Sequence, residues 1–383
     1  MTEKERLRGI VACIASTIAV TVTMGLTLPY LALVLEHQGV DPWLNGLSAA
    51  VQMVAVMFLA FLGPRLMARF GTKRVIAGGL AGVAVSLALL PIFPNVWLWF
   101  PIRFLLGLSS ELVWTAGDVW INQLAPEEKR GRIIGITGFF QHGGFAVGPL
   151  LLGVLGTDTW WPLYIGTAIV LFGLAPLLIA GPAIKTRLGE SKARILHFLK
   201  IAPGLMIAGL MFGLIDSATL SLLPVYGLRK ELSADMAESM LAIFVIGAML
   251  AQIPMGWLTD HFPARLLMMV GATLTLIMLV AMPWTIADPV LIYPVLGLMG
   301  AGLGSFYTIA LTEMGRRFEG GALIGVTTSF MFLWASGSVV GPGLSGIAID
   351  LAGPDGMPML GAALTFAFMV LIAVRMRSGG QSV

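Results

Sequence analysis

The chain has 383 residues, of which 57% are hydrophobic and only 11% are charged. Soluble domains carry roughly 25% charged residues, so this composition excludes a soluble globular protein and predicts a membrane protein. The single cysteine, Cys13, excludes an intramolecular disulfide and a cysteine-based metal cluster. The net charge of +3 is informative through the positions of the basic residues and not as a sign of nucleic-acid binding.

The apolar residues fall into long runs that suit a bilayer, whose core takes about 20 residues per helix. The first run is far longer than the roughly 7 to 15 apolar residues of a cleavable signal, so we expect it to be retained as a span. Charges, prolines and glycines between the runs predict an all-α membrane protein with twelve transmembrane helices. The predicted spans are 9–36, 42–64, 74–93, 96–124, 132–156, 160–181, 201–228, 235–258, 264–286, 289–314, 321–349 and 357–375.

Basic residues mark the cytoplasmic side of a membrane protein. With the N-terminus inside, 20 of the 23 lysines and arginines fall in cytoplasmic segments, and only Arg229 and Lys230 fall on the other side. We therefore predict that both termini are cytoplasmic. The longest polar connection, 182–200, is predicted to be a cytoplasmic linker between two six-helix halves, 1–181 and 201–383.

An unusual pattern of glycine and proline occurs once in each half. A shift of 193 residues places GGFAVGPLLLG (143–153) on SGSVVGPGLSG (336–346). Because two halves rarely contact a substrate identically, the duplication predicts an architectural role. Glycines spaced by four and five are expected to leave each helix a smooth face for close packing. The residues concerned are Gly144, Gly148, Pro149 and Gly153, and Gly337, Gly341, Pro342 and Gly346.

A second shared element follows the second span of each half, as GWLTDHFPAR (256–265) and PRLMARFGTK (64–73). The first of these resembles the loop signature of the major facilitator superfamily, Gly-x-Leu-x-Asp-Arg/Lys-x-Gly-Arg/Lys-Arg/Lys, although the N-terminal copy has Ala68 where the acid belongs. The resemblance implies a cytoplasmic latch in which a glycine lets helices approach and a carboxylate meets helix ends and basic partners. The latch residues would be Gly256, Asp260, Arg265, Arg69 and Gly71.

Two further spans resemble the same family. Arg103 and Gly107 match its Arg-x-x-x-Gly motif, and the fifth span resembles the drug/proton antiporter signature, with Leu152 replacing one glycine. The stretch from Trp114 to Asn122 is similar to the YcaD-like bacterial branch, which tends to have glutamate where this chain has Asp118. The resemblance implies the major facilitator fold in a bacterial inner membrane, with the fifth and eleventh spans lining the boundary between the halves. The Gly-Pro strings would then act as hinges or seals.

Ionisable side chains remain inside the predicted spans. An acid at a helix centre costs roughly 2.5 to 3.5 kcal/mol on insertion scales, so each needs a partner, a proton or a water-filled cavity. Arg103, Glu111 and Asp118 share one face of the fourth span, where they could carry a proton past a substrate. Asp216 lies in the middle of the seventh span and is the preferred proton carrier, and His142 in the fifth could titrate with substrate.

Each of these residues also has a structural alternative. Arg103 and Glu111 could pair with polar groups on neighbouring helices, and His142 could be hydrogen-bonded between helices. Asp118 lies nearer the cytoplasmic interface, where hydration would reduce its cost. The deep aromatic side chains Trp114, Tyr307 and Trp334 could stack with a substrate in the cavity.

Catalysis has little support, because the sequence contains no nucleotide-binding loop, metal cluster or nucleophile elbow. The leading hypothesis is a monomeric secondary transporter that exports a small amphipathic or aromatic molecule against proton entry, without cofactor, metal or nucleic acid. The alternative is proton-coupled uptake of a nutrient or metallophore with the same carboxylates. A third possibility, from another class, is a membrane receptor that keeps the fold without transporting.

Overall fold

The computed structural model describes residues 2–40, 42–93, 95–180 and 195–377. These residues form thirteen α-helices and one short 3-10 turn, and no strand occurs among them. The helices are α1 (Glu3–His37), α2 (Pro42–Phe70), α3 (Thr72–Leu89), α4 (Val96–Leu124), α5 (Arg130–Leu155), α6 (Trp161–Ile179), α7 (Ile195–Ile201), α8 (Pro203–Arg229), α9 (Ala234–His261), α10 (Ala264–Thr285), α11 (Pro289–Arg317), α12 (Gly320–Ala352) and α13 (Gly356–Arg377).

The number of membrane-spanning helices agrees with the prediction. Within the described ranges, eleven helices are long and apolar enough to cross a bilayer, and α2 makes a twelfth if its two parts count as one span. The parts of α2, Ala50–Leu59 and Phe61–Phe70, meet at an angle of 55°. The predicted all-α class is therefore confirmed, and the eleven to twelve candidate spans agree with the twelve that were predicted.

The connection between the halves is described only at its end. Residues 181–194 of the predicted linker lie outside the described residues. The following residues form the seven-residue helix α7, which the sequence analysis did not predict. Ala202 separates α7 from α8, and Pro203 begins α8 at a position where the missing N–H of proline costs nothing.

Prolines lie inside most of the long helices without ending them. Pro101 in α4 and Pro294 in α11 occupy matching positions, as do Pro149 in α5 and Pro342 in α12. A proline inside a membrane helix is tolerated because neighbouring helices and local adjustments satisfy the freed carbonyl. Proline therefore marks the repeat in this chain without marking helix ends.

The chain divides into two compact units. The first contains the described residues of Met1–Pro126, Phe140–Ala193 and Phe318–Thr328, and the second those of Glu127–Phe139, Arg194–Arg317 and Ser329–Val383. The start of α5 is thus part of the second unit, and the start of α12 is part of the first. The predicted halves would instead place the start of α5 in the N-terminal half and the start of α12 in the C-terminal half.

In the first unit, α4 packs against α1, α2 and α3. Its glycine at position 107 lies directly against the backbone carbonyl of Gln52 on α2, where an added Cβ would overlap it. In the second unit, Gly300 of α11 lies in the same way against the carbonyl of Phe244 on α9. Gly107 and Gly300 are matching residues of the sequence repeat, so the repeat is also a repeat of helix packing.

The Gly-Pro strings pack helices inside each unit. In the first unit, an added Cβ on Gly148 would overlap the backbone of α1 at Gly25. In the second unit, an added Cβ on Gly341 would overlap the backbone of α8 at Leu214. The preceding glycines behave alike, with Gly144 against α1 and Gly337 against α8. The partners described for each of these glycines lie in the same unit as the glycine itself. The role of the strings as hinges or seals stays a prediction.

The packing expected of the last glycine in each string is not observed. Gly153 and Gly346 have no described neighbour within 4 Å of an added Cβ. The reason is angular, because five residues turn an α-helix by about 500°, which places Gly153 about 140° around the helix from Gly148. A spacing of five therefore leaves the shared face, and the smooth face predicted for all these glycines was wrong for Gly153 and Gly346.

Candidate functional site

The charged residues of α4 are deeply buried and do not pair with one another. Arg103 and Glu111 are 1% and 7% exposed. The Arg103 Nη1 atom donates to Ser48 Oγ on α2 at 2.9 Å, and Glu111 Oε1 accepts from the Thr115 hydroxyl on its own helix at 2.8 Å. Among the described residues neither forms an ion pair. The shared face predicted for these residues therefore holds separate charges, each bound to a hydroxyl.

Asp118 lies further along α4 and is 0% exposed. The Asn122 amide donates to its backbone carbonyl at 3.2 Å. Helix α1 packs against this turn, because the Cys13 thiol donates to the Gly117 carbonyl at 3.3 Å. The contact with solvent that was expected to reduce the cost of Asp118 is not observed, because the residue is fully buried.

Asp216 of α8 has a different environment. It is partly exposed, and no hydrogen bond or ion pair to its carboxylate is found within the described part of the chain. The next residue, Ser217, donates to the backbone carbonyl of Ser338 on α12 at 2.8 Å. The helix is thus held at this turn by the serine, while the acid beside it has no polar partner from the described residues.

Two of the three predicted aromatic residues lie at the turn of α8 that precedes Asp216. The ring of Tyr307 on α11 is 6.4 Å from the ring of Phe212. The backbone of Trp334 on α12 packs on Gly213, and the Trp334 indole nitrogen is buried without a hydrogen-bond partner. Phe212 and Gly213 lie four and three residues before Asp216, so they share a helix face with it.

The third predicted aromatic residue, Trp114, lies half-buried on α4 in the first unit. His142 of α5 belongs to the same unit and is also half-buried. Both residues belong to the first unit, whereas Asp216 belongs to the second.

Buried amides were missed by the sequence analysis. Gln141, beside His142, and Gln52 on α2 are both 1% exposed, and neither amide has a hydrogen-bond partner. Gln252 on α9 is buried too, and its carbonyl oxygen accepts from the Thr308 hydroxyl on α11. An uncharged polar residue inside an apolar run was the available signal, because such a group is costly in a bilayer unless it has a role.

Asp260, which is predicted to belong to a latch, contacts the start of α5 in the second unit. Its side chain is 1% exposed, and its two carboxylate oxygens accept the backbone N–H groups of Gly131 and Arg132 at 2.7 and 3.0 Å. These N–H groups belong to the first turn of α5, where a helix leaves its donors unsatisfied and favours negative charge. Gly256, one turn before Asp260, permits this approach, because an added Cβ would overlap the Gly131 carbonyl.

Two arginines complete the surroundings of Asp260. Arg316, at the end of α11, lies 3.3 Å from one carboxylate oxygen, and the Arg132 Nε lies 3.7 Å from the other. Arg316 also donates to the Thr259 carbonyl at 2.6 Å. One carboxylate therefore joins the end of α9, the start of α5 and the end of α11. Arg265, at the start of α10, is half-buried, and its place in the latch stays a prediction.

The N-terminal copy of the latch has a different arrangement. Arg69 is exposed, and its guanidinium lies 5.3 Å from the centre of the Phe70 ring. Gly71 precedes α3 with a φ of 80°, a left-handed value that favours glycine. With Ala68 in the place of the acid, no carboxylate is available there to bind a helix start.

Comparison with known proteins identifies relatives over the whole chain. The family model of the Major Facilitator Superfamily matches residues 13–234 and again residues 205–379. An uncharacterized MFS-type transporter of Bacillus subtilis, YfkF, is 25% identical over 334 residues, which cover 84% of this chain and 83% of the relative. YcaD of Shigella flexneri, another uncharacterized MFS-type transporter, is 20% identical over 388 residues, which cover 98% of this chain and 97% of that relative.

Solved structures show the same fold. The structure of FucP, the Escherichia coli fucose:proton symporter, in its outward conformation superposes with a TM-score of 0.78 at 17% identity. The superposition covers 96% of this chain and 99% of that chain.

Proposed function

The chain belongs to the major facilitator superfamily of multi-pass membrane transporters, and we propose that it is a secondary active transporter that exports a small amphipathic or aromatic organic molecule in exchange for protons. Its family and fold are those of transporters and not of enzymes. Its relatives are bacterial, which agrees with the cell membrane as its location. The direction of transport, the coupling ion and the substrate class belong to the proposal.

Asp216 is the observation that carries proton coupling. An acid in an apolar span needs a partner, a proton or water. The described residues offer its carboxylate no hydrogen bond or ion pair, yet it is partly exposed. A group with those two properties can take up a proton and release it as its surroundings change. Asp260, in contrast, accepts from two backbone N–H groups and lies beside two arginines.

The surroundings of Asp216 support an amphipathic or aromatic substrate. Tyr307, Phe212 and Trp334 all lie at the adjoining turn of α8. Aromatic rings supply large apolar area and stack with other rings. The buried indole nitrogen of Trp334 still has a proton to donate to a polar group of a ligand.

Export is favoured by the antiporter-like glycine pattern of α5. FucP is named a proton symporter, which corresponds to the alternative, proton-coupled uptake of a nutrient or metallophore. At 17% identity that likeness shows the fold alone. The direction therefore has to be measured.

Proteoliposomes test the proposal. Asp216→Asn should reduce proton-gradient-driven transport to the level of empty liposomes, because the amide cannot carry a proton, while counterflow exchange of labelled for unlabelled substrate continues. Asp288→Asn, at an exposed site before α11, is the matched control and should transport normally. Unchanged gradient-driven transport in Asp216→Asn would overturn proton coupling through this residue.

The same vesicles determine the direction. With substrate inside the vesicles and acid outside, a proton antiporter accelerates the efflux of substrate. With substrate and acid both outside, a proton symporter accelerates the uptake of substrate instead. A receptor without transport activity would exchange no compound in either arrangement.

A further inference from the structure

Arg103 is a buried cation to which the described residues offer no counter-ion. Its side chain lies in the membrane-spanning part of α4 and is 1% exposed. One hydrogen bond, from Nη1 to Ser48 Oγ, is described for it, and its Nε has no partner. No carboxylate of the described residues forms an ion pair with it. A charge in an apolar span is stabilised by an opposite charge or by water, and the described residues supply no opposite charge here.

A second unsatisfied polar group lies beside it. Gln52 follows Ser48 by one turn of α2, and Gly107 follows Arg103 by one turn of α4. Gly107 lies directly against Gln52, so these two faces of α2 and α4 are in contact. The Gln52 amide is 1% exposed, and the described residues offer neither its nitrogen nor its oxygen a hydrogen-bond partner. The contact between α2 and α4 therefore contains a guanidinium bound to one hydroxyl and, one turn further along both helices, an amide without a described partner.

The acid that shares the α4 face does not neutralise Arg103. Glu111 lies two turns further along α4 and accepts its hydrogen bond from Thr115. On α2, the two polar groups that face Arg103 and Gly107, Ser48 and Gln52, are uncharged. Within the described part of the chain, no acid therefore compensates the positive charge at this contact.

The chemistry of the three groups matches one kind of ligand. A guanidinium presents a planar fork of N–H donors that fits a carboxylate with two parallel hydrogen bonds. The Gln52 amide adds two N–H donors, and the Ser48 hydroxyl can donate while it accepts from Arg103. A cation would be repelled by Arg103, and an apolar group would leave all three unsatisfied.

We propose that Arg103, Gln52 and Ser48 bind a carboxylate group of the transported molecule, which makes the substrate an organic monocarboxylate. This inference rests on the transport function proposed above and specifies its substrate class. The site is closed to solvent, so a ligand reaches it only when α2 and α4 move apart within the first unit. The bound carboxylate neutralises the guanidinium, so the protein with ligand is more stable than the protein without it.

Thermal unfolding of the purified protein tests the site with benzoate, benzenesulfonate and benzamide as probes. Benzoate should raise the melting temperature, and benzamide, which has the same shape without the charge, should not. Stabilisation by benzenesulfonate but not by benzoate would overturn the carboxylate assignment. Arg103→Lys should weaken benzoate binding by at least about tenfold, because a lysine is a point charge without the fork. Arg229→Gln, at a half-exposed site at the end of α8, is the control and should bind benzoate normally.

Gln52→Glu supplies a second test that does not depend on the folding of an arginine variant. The introduced acid would pair with Arg103, so the protein without ligand should melt at a higher temperature and its response to benzoate should disappear. A benzoate response that persists in Gln52→Glu and Arg103→Lys, an equal response to benzamide, or no response of the wild-type protein to any anion would overturn the site.

Counterflow in proteoliposomes separates this inference from the transport function. Exchange of neutral aromatic compounds without exchange of benzoate would overturn the carboxylate site and leave the transporter intact. If Arg103→Lys weakens benzoate binding but the wild-type protein exchanges no compound, the site is upheld and the transport function is overturned.

Discussion

At the scale of single residues, the surroundings of each acid determine what it can do. Asp260 and Asp216 carry the same carboxylate, and both lie in long apolar helices. Asp260 is bound by two backbone N–H groups and two arginines, so its charge is compensated and its position is held. Asp216 lacks such partners among the described residues and is partly exposed. The first is suited to joining helix ends, and the second to exchanging a proton.

Asp260→Asn should destabilise the protein because it removes the charge that faces the start of α5 and two arginines. Hydrogen bonds to charged groups contribute roughly 1.5 to 3 kcal/mol each, so we expect a loss of about 2 kcal/mol in the free energy of unfolding. Thermal unfolding in detergent measures it. Asp350→Asn is the matched control, because the Asp350 side chain is 76% exposed and lies 4.0 Å from Arg229. Equal melting temperatures for both variants would contradict a structural role of the Asp260 charge.

At the scale of helices, glycine determines which faces come into contact. The approach of α5 to α1 at Gly148 and of α12 to α8 at Gly341 is possible because neither glycine carries a side chain. Backbones that approach this closely gain dispersion contacts, which drive helix association in membranes where the hydrophobic effect does not. The proline that follows each glycine removes an N–H donor within a helix that continues through it. The strings are thus packing elements in equivalent places of the two units.

Gly148→Ala and Gly341→Ala should each lower the melting temperature, because the added methyl group would overlap the backbone of α1 or α8. Overpacking typically costs about 1–3 kcal/mol. Gly153→Ala and Gly346→Ala place the same methyl group in open space, and their melting temperatures should remain close to that of the wild-type protein. If all four variants melt alike, the packing described for Gly148 and Gly341 is not a source of stability.

At the scale of the whole molecule, the two compact units do not coincide with the two halves of the sequence. The first turns of α5 belong to the second unit, where Gly131 and Arg132 bind Asp260. Because the start of α5 supplies two of the groups that bind Asp260, the latch can form only when this segment lies within the second unit. The distribution of basic residues predicts that this latch and both termini face the cytoplasm.

Cysteine labelling tests that orientation. Cys13 is buried and should not react with a membrane-impermeant maleimide, so the wild-type protein serves as the background. Glu231→Cys, in the exposed turn after α8, should be labelled in intact cells, and Glu128→Cys, in the exposed turn before α5, only after the cells are opened. The reverse pattern would place the termini on the outer side.

Much of the fold follows from local properties of the sequence. Apolar runs predict spans because the bilayer penalises each exposed polar group separately, and the spans found here agree with the predicted ones in number and place. The repeat and the loop that contains Asp260 were visible because they are short patterns of residue types. The failure of Gly153 and Gly346 to pack could have been predicted too, since the turn per residue of a helix is known.

The site could not be predicted in the same way, because hydrogen bonds depend on which helix faces meet. Asp260 binds groups 129 and 128 residues away along the chain, and Arg103 binds Ser48 across 55 residues. No local pattern encodes these partners. The sequence alone therefore determined the class, the family and the charged residues that require an explanation. Only the tertiary structure decided that Asp118 is fully buried, that the charge of Asp260 is compensated, and that the described residues offer Arg103 and Asp216 no opposite charge. The physical reason is that the packing of helices determines which partners each side chain has.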